Sequence, residues 1–478
     1  MYNDTIAAIA SGMTASGIGI IRISGPEAFT VADKCCRLIS GKSVKETPSH
    51  TIRLAHIYDL GNNLLDEVLV MKMAGPKSYT AEDTIEINCH GGPMVMKAIL
   101  QTVYDCGCRP AEPGEFTKRA FLNGRMDLSE AEAVMDLIDA RNQDAARSAV
   151  RVLNGSTKRQ IEAIRELLLT HLARIEASLD DPEHLGFEDE EDDSFTDDYL
   201  IPEKMSSDVY RQKLGADLDQ AEEKLDHMLE HYEDGRLRRE GIRTVILGKP
   251  NAGKSSILNL LSGEERAIVT DIAGTTRDTL EEMVNLGGLT LVLTDTAGIH
   301  ETDEVVERIG VEKAEKAADE ADLILFVADV SRPLDEDDKK ILSRIKDRKV
   351  IILLNKSDLP KQVEMADISH FLDAPSVIFS AAKAEGKDQL ADKVRELFDL
   401  GDLSFNEQDT VTSERQRQSL LKAKESMRLV RESLNNHLPE DFYAIDLMDI
   451  YRYLGEVLGE DVGEDVINEV FSRFCMGK

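Results

Sequence analysis

The sequence predicts a multidomain α/β chain: an N-terminal α+β domain, a helical domain, and a P-loop domain with a mostly parallel sheet inserted into the helical one. Three observations carry this prediction. First, the apolar runs TVILG (244–248), LTLVLTD (289–295), LILFVADV (323–330) and VIILLN (350–355) alternate with helical stretches. That is the pattern of a parallel sheet covered by helices. Second, helical spacing dominates before this block, over about 119–240, and again after about 411. Third, a GxxxxGKS loop follows the first apolar run. Such a loop joins a strand to a helix.

The expected boundaries are 1–118, 119–240, 241–400 and 401–478. In the first segment, GIGIIRISG (17–25) is apolar, β-branched and closed by Gly25, which predicts a strand. PEAFTVADKCCRLI (26–39) has helical spacing. DEVLVMKMAG (66–75) reads as a strand, and TIEINCHGG (84–92) alternates Ile85, Ile87 and Cys89 with polar residues. Pro93 then opens a helix, where a missing N–H costs nothing. In the helical segment, DLSEAEAVMDLIDA (127–140) is representative. Leu214, Leu218, Ala221, Leu225, Met228 and Tyr232 form one stripe. The acidic run 188–198 interrupts this segment and reads as a mobile loop rather than an interaction tail. Near the end, Leu420, Ala423, Met427, Val430 and Leu434 share a helical face. There are no internal repeats.

The 478 residues provide for two to four domains. No run of 18 apolar residues occurs, so no membrane span is expected. The opening MYNDTIAAIASG carries an acid and lacks a basic start, which predicts a cytoplasmic protein. Six scattered cysteines without a CxxC pair predict reduced thiols rather than a zinc site or disulfide framework. The net charge of −34 repels nucleic acid on average. Any RNA chemistry therefore requires a local basic patch or a partner that supplies one.

Between Gly248 and Lys383 five elements outline a guanine-nucleotide site with GTP as its ligand. In GKPNAGKSS (248–256), backbone N–H groups of Gly248, Asn251, Ala252, Gly253 and Ser256 can cradle phosphates at a helix N-terminus. Lys254 is placed to reach the β- and γ-phosphates and Ser255 to ligate Mg²⁺. DTAG supplies Asp295, Thr296, Ala297 and Gly298. Asp295 is expected to hold Mg²⁺ through water, and the Gly298 N–H to sense the γ-phosphate. In NKSD, Asp358 can accept from the ring N–H and amine that guanine alone presents. Asn355 can meet the other edge, with Lys356 beside it. Ser380 and Ala381 complete the base pocket. Thr276, in TDIAGTTRD (270–278), is the expected second Mg²⁺ ligand.

Ile299 stands after DTAG, where many GTPases carry a water-orienting glutamine. Charge neutralisation must then come from elsewhere. Arg277 or Arg308 as an arginine finger is one source, and a bound monovalent cation is another.

Beyond the nucleotide motifs, the chain carries DTIAAIA, GIGIIRISG, SYTAEDTIEINCHGG, PGEFTKRAFLNGRMDLSEAEAVMDLIDA, EVVERIG and the terminal FCMGK. With these it resembles, over nearly its whole length, the MnmE (TrmE) family of tRNA modification GTPases. The resemblance implies a Ras-like G domain and an N-terminal tetrahydrofolate-binding and dimerisation domain. It implies that two G domains meet across their nucleotides, with K⁺ in place of an arginine finger. Asn251, Thr270, Ile272 and Thr275 then match the K⁺ ligands, and Glu307 the residue that orients the attacking water. Arg22, Glu86, Arg125 and Lys478 match contacts to a tetrahydrofolate derivative, in its 5-formyl or 5,10-methylene form. Cys475 falls in the family's C-terminal motif.

The family modifies the wobble uridine of certain tRNAs at carbon 5. It works as a homodimer that joins a flavin-dependent partner of the MnmG (GidA) type in a heterotetramer. Without the N-terminal and tail motifs, the same G domain equally fits a regulatory switch that acts on a ribosome or a protein. The chain departs from the family at SGMTASG (11–17), at Arg125 where many members have lysine, and in its acidic 179–199 segment.

Overall fold

The computed structural model describes residues 4–140, 142–180, 207–230, 232–263, 281–294, 317–398, 411, 413–474 and 477–478. The residues group into two compact units. The first holds 1–135, 150–226 and 414–478, and the second holds 136–149 and 227–413.

The first unit contains a seven-stranded sheet. Its strands are β1 (Ile6–Ile9), β2 (Ser16–Ser24), β3 (Cys36–Leu38), β4 (Thr51–Tyr58), β5 (Leu64–Met73), β6 (Thr84–Gly91) and β7 (Arg109–Pro110). Their order in the sheet is β3-β4-β5-β6-β2-β1-β7. Helices α1 (Ala28–Cys35) and α2 (Pro93–Asp105) contribute to the same core as the sheet's buried face. The register sets Arg22 of β2 directly opposite Glu86 of β6. Because side chains alternate along a strand, Ile21, Ile23, Ile85 and Ile87 then turn into the core. The helix expected over 26–39 is shorter: the backbone turns extended at Cys36, and β3 pairs with β4. Helical spacing did not reveal this, because a three-residue strand is too short to show a period.

Helices α3 (Glu115–Leu122), α4 (Leu128–Asp139), α5 (Gln143–Leu153), α6 (Ser156–Asp180) and α7 (Ser207–Glu230) follow. The predicted stripe from Leu214 to Met228 is buried on α7. After the second unit the chain returns as α13 (Glu414–Asn435), α14 (Glu440–Leu458) and α15 (Glu464–Ser472). Arg415, the second residue of α13, pairs with Glu132 of α4 at 2.9 Å and donates to the Glu456 and Val457 carbonyls that end α14. The chain that leaves the first unit and the chain that re-enters it are thereby tied together. Gly459 closes α14 at φ +91°, where an added Cβ would strike Leu128 and Phe121. That close approach requires glycine.

The second unit is a six-stranded sheet of β8 (Ile242–Leu247), β9 (Glu281–Leu286), β10 (Leu289–Thr294), β11 (Leu323–Asp329), β12 (Val350–Asn355) and β13 (Ser376–Ile378). Their order is β13-β12-β11-β8-β10-β9, and only β9 runs antiparallel. β11 is central and buried along its whole length. That explains its unbroken apolar run, since both faces are covered. Its helices are α8 (Tyr232–Glu240), α9 (Lys254–Ser262), α10 (Glu336–Arg344), α11 (Met365–Ser369) and α12 (Lys387–Leu397). Among the described residues no helix is long and apolar enough to cross a membrane.

Candidate functional site

The phosphate loop follows β8 and opens α9. Two glycines shape it. Gly248 has φ +149°, and a Cβ there would lie 2.6 Å from the Val327 carbonyl of β11. Gly253 has φ +104°, and a Cβ there would lie 2.2 Å from Asn355 Nδ2. Asn251 also takes a positive φ, 63°. Such a backbone turns successive N–H groups inward, which suits an anion. Ser255 and Ser256 stand exposed in the first turn of α9. Lys254 Nζ donates to the carbonyls of Gly248 (2.8 Å) and Lys249 (2.9 Å), across the mouth of the loop. Burial pulls its ammonium below the ordinary lysine range. Among the described residues this half-buried cation meets carbonyl oxygens and gains by meeting an anion, so the loop fits a phosphate chain with its Mg²⁺.

The base loops lie at the ends of β12 and β13. Asn355 is buried, and its side chain joins both loops. Nδ2 donates to the Ala252 carbonyl (2.8 Å), and Oδ1 accepts from the Ala381 N–H (3.2 Å). One Nδ2 hydrogen remains for a base edge. The bond from Ser380 Oγ to Asp358 Oδ1 (2.7 Å) is the leading cause that holds the Asp358 carboxyl below its usual range. Asp358 is exposed and ionised, ready to accept two hydrogen bonds. Lys356 reaches back to Asp329 at 2.5 Å. Lys249 pairs with Asp335, the N-cap of α10. Asp329 and Lys249 belong to no motif legible in the sequence; the crossing of β11 behind both loops brings them in.

A second cradle lies in the first unit. Arg22 Nε donates to Glu86 Oε1 (2.9 Å), and its NH1 donates to the Gly477 carbonyl (3.2 Å). Its guanidinium lies 5.0 Å from the Tyr79 ring centroid and 5.6 Å from that of Phe116. The guanidinium of exposed Arg125 lies 5.3 Å from the same Tyr79 centroid. The tail tip is seated firmly. Gly477 has φ +94°, and a Cβ would come within 2.3 Å of the Ile9 carbonyl. The Phe116 N–H donates to the Lys478 carbonyl (3.3 Å). Burial first, then the charge of Arg22, pulls the Lys478 ammonium down, while Glu86 opposes them.

Arg22 and Glu86 thus pair with each other, and each keeps further hydrogen-bonding capacity for a ligand. A carboxylate, two guanidiniums, an ammonium and an aromatic ring complement a flat aminopyrimidine bearing an acidic tail. The residues fit a folate.

Thr270, Ile272, Thr275, Thr276, Arg277, Asp295, Thr296, Ala297, Gly298, Ile299, Glu307, Arg308 and Cys475 lie outside the described residues, as does the acidic run 188–198. The other five cysteines are free and buried.

Two family models match the chain in tandem. The GTP-binding protein TrmE N-terminus matches residues 5–125, and the MnmE helical domain matches 128–475. The tRNA modification GTPase MnmE of Lachnoclostridium phytofermentans is 49% identical, covering 100% of both chains. That of Acetivibrio thermocellus is 45% identical, also over 100% of both. The solved G domain of the T. maritima FeoB iron transporter is 27% identical over 33% of this chain and 98% of its own, with a TM-score of 0.26. Full-length identity at this level, reaching well beyond the nucleotide loops, means that the chain belongs to the tRNA modification GTPase MnmE family.

Proposed function

We propose that the second unit hydrolyses GTP in a K⁺-dependent way and that this cycle drives one-carbon chemistry on tRNA in the first. In this reading the loop from Gly248 to Ser256 holds the phosphates, with Lys254 on the β- and γ-oxygens. Ser255 and Thr276 ligate Mg²⁺, with Asp295 behind a water and Thr296, Ala297 and Gly298 at the γ-phosphate. Asn251, Thr270, Ile272 and Thr275 would hold K⁺, which would supply positive charge to the phosphates in place of an arginine finger. Glu307 orients the water that attacks the γ-phosphorus, and GDP leaves. Asn355, Lys356, Asp358, Ser380 and Ala381 select guanine. Two G domains close across their nucleotides.

Arg22, Glu86, Arg125 and Lys478 hold a tetrahydrofolate derivative, which supplies the one-carbon unit. Cys475, from the same tail, works beside it. The product is an aminomethyl-type group on carbon 5 of a wobble uridine, its carbon from the folate and its nitrogen from an amine co-substrate. It is made with a flavin-dependent partner of the MnmG type in a heterotetramer. Delegating RNA contact to that partner agrees with a chain of charge −34.

The homodimer is supported by the outer face of the N-terminal sheet. Ile52, Leu54 and Leu69 are 52%, 44% and 44% exposed there. Leu54 stands opposite Leu69 on the neighbouring strand. A grouped apolar face of this kind favours association.

The observation that carries the one-carbon reading is the meeting of the C-terminal tail with Arg22 and Glu86. Calorimetric titration with 5-formyltetrahydrofolate tests it. Wild type is expected to bind, and Arg22→Ala to lose binding while still hydrolysing GTP. A folded, GTP-hydrolysing wild type that binds no folate would point instead to a regulatory switch without one-carbon chemistry.

A further inference from the structure

Asp329 ends β11 and is the register partner of Asn355 on β12. It is only 8% exposed. Oδ2 accepts from Lys356 Nζ at 2.5 Å, and Oδ1 accepts from Ser331 Oγ at 2.6 Å and from the Ser331 N–H at 3.0 Å. Burial alone would raise its carboxyl. The bonds from Lys356 and Ser331 outweigh burial and hold it below the usual range. The carboxylate is therefore a fixed anion.

Lys356 starts from a left-handed backbone, φ 61°. Its neighbourhood is pinned to the end of β11: the Val330 N–H donates to the Asn355 carbonyl (3.1 Å), and the Gln362 N–H donates to the Val330 carbonyl (2.7 Å). The lysine stem is drawn from the base loop back to β11. β11 is also the strand against which Gly248 of the phosphate loop is pressed, at Val327. The stem thus runs from the base loop to the end of the strand that also backs the phosphate loop. Held at both ends, its methylenes form a rail on which a purine ring can lie while the charge stays satisfied.

We infer that Asp329 is a positioning residue for guanine nucleotide, acting through Lys356. It fixes the lysine before the nucleotide arrives. A lysine left free must lose its rotamer freedom on each binding event, and the loss corresponds to about tenfold in affinity. The inference rests on the assignment of these loops to the base.

Stopped-flow dissociation of a fluorescent GDP analogue and steady-state GTP hydrolysis, both on the full chain, test it. Asp329→Ala and the milder Asp329→Asn are expected to raise KM and the GDP off-rate about tenfold, with kcat unchanged. Lys356→Met should show the same loss. The double variant Asp329→Ala with Lys356→Met should lose no more than either alone, because both remove one interaction. Losses that multiply in the double variant, or a fall in kcat at constant KM, would overturn the inference. A parallel Asp358→Asn variant separates the two levels. If it leaves GTP affinity intact, the base assignment itself fails. If it weakens GTP while both Asp329 variants bind normally, only the role of Asp329 fails.

Discussion

The described nucleotide loops of the second unit come from three short stretches, 248–256, 355–358 and 380–381, each set at the end of a strand. The cradle of the first unit gathers Arg22, Tyr79, Glu86, Phe116, Arg125 and the tail at Gly477 and Lys478 from across the chain. The loops are shaped by their own backbone, by positive φ values and one buried asparagine. The cradle exists only when the whole first unit is closed, because a bond such as that from Arg22 to Gly477 crosses nearly the full sequence. A local site should fail through local strain, and an assembled one through loss of the fold around it.

Arg119 offers the largest test of that difference. It is fully buried on α3 and meets Asp4 (2.8 Å), Glu115 (3.0 Å) and Glu82 (3.2 Å). The neighbouring Arg109 binds Glu115 and Asp4 as well. The pairing holds the Asp4 and Glu115 carboxyls low against the burial that would raise them. Arg119→Met removes one of the two cations on buried Glu115 and half-buried Asp4, and takes this cation from Glu82, at a cost of about 3 kcal/mol, the low end for a broken buried pair because Arg109 remains. We expect a large drop in the urea midpoint of the first unit and loss of folate binding, with GDP affinity unchanged. An equal loss of GDP affinity would mean that the two sites are not independent.

The converse substitution is Gly253→Ala. A Cβ at φ +104° meets Asn355 Nδ2, and that amide cannot swing away without releasing Ala252 and Ala381. Strain of this kind is worth about 1–3 kcal/mol, so GDP should bind roughly 10- to 100-fold more weakly. The urea midpoint of the first unit and its folate affinity should not move. If they do, backbone strain in the phosphate loop is felt beyond its own unit.

The same contrast explains what the sequence could disclose. The strands β8, β10, β11 and β12 were legible because buried parallel strands are continuous apolar runs. The loops after them were legible because phosphate and guanine chemistry requires particular residues at fixed spacing. β9 was not, as an edge strand whose polar residues mimic a loop. β3 was hidden at the end of a helical pattern. Family resemblance alone pointed to Arg22, Glu86, Arg125 and Lys478, and nothing in the sequence pointed to Tyr79, Phe116 or Gly477, since no local spacing links residue 22 to residue 477. Asp329 escaped because an aspartate closing an apolar strand looks like an ordinary turn residue. Its partner is 27 positions away, brought near only by the parallel pairing of β11 with β12.

The smallest effect concerns a buried group away from both sites. His171 of α6 is 3% exposed, and its Nε2 meets Asp217 of α7 at 2.8 Å. The Tyr210 ring packs edge-on, 5.5 Å from it. Burial lowers the imidazole pKa from 6.5, and the charges of Lys213 and Arg174 add to this, while Asp217 opposes them. The folded state thus binds a proton less readily than the unfolded chain does. Its contribution to stability is complete above pH 6.5 and is lost as pH falls from 6.5 toward the lowered folded value. One proton limits the slope to about 1.4 kcal/mol per pH unit. We expect the urea midpoint of the first unit to fall between pH 7.5 and 5.5, and His171→Gln, which keeps a donor for Asp217, to remove most of that slope. The Asp4 and Glu115 carboxyls, held low, titrate at more acidic pH, whereas Glu130 and Asp446, raised chiefly by burial, take up protons more readily in the folded state and oppose the His171 slope, so the comparison of wild type with His171→Gln isolates the imidazole. A His171→Gln variant whose midpoint falls as steeply as that of wild type, or more steeply, would mean that Asp217 outweighs burial and that the imidazole is charged within the bundle.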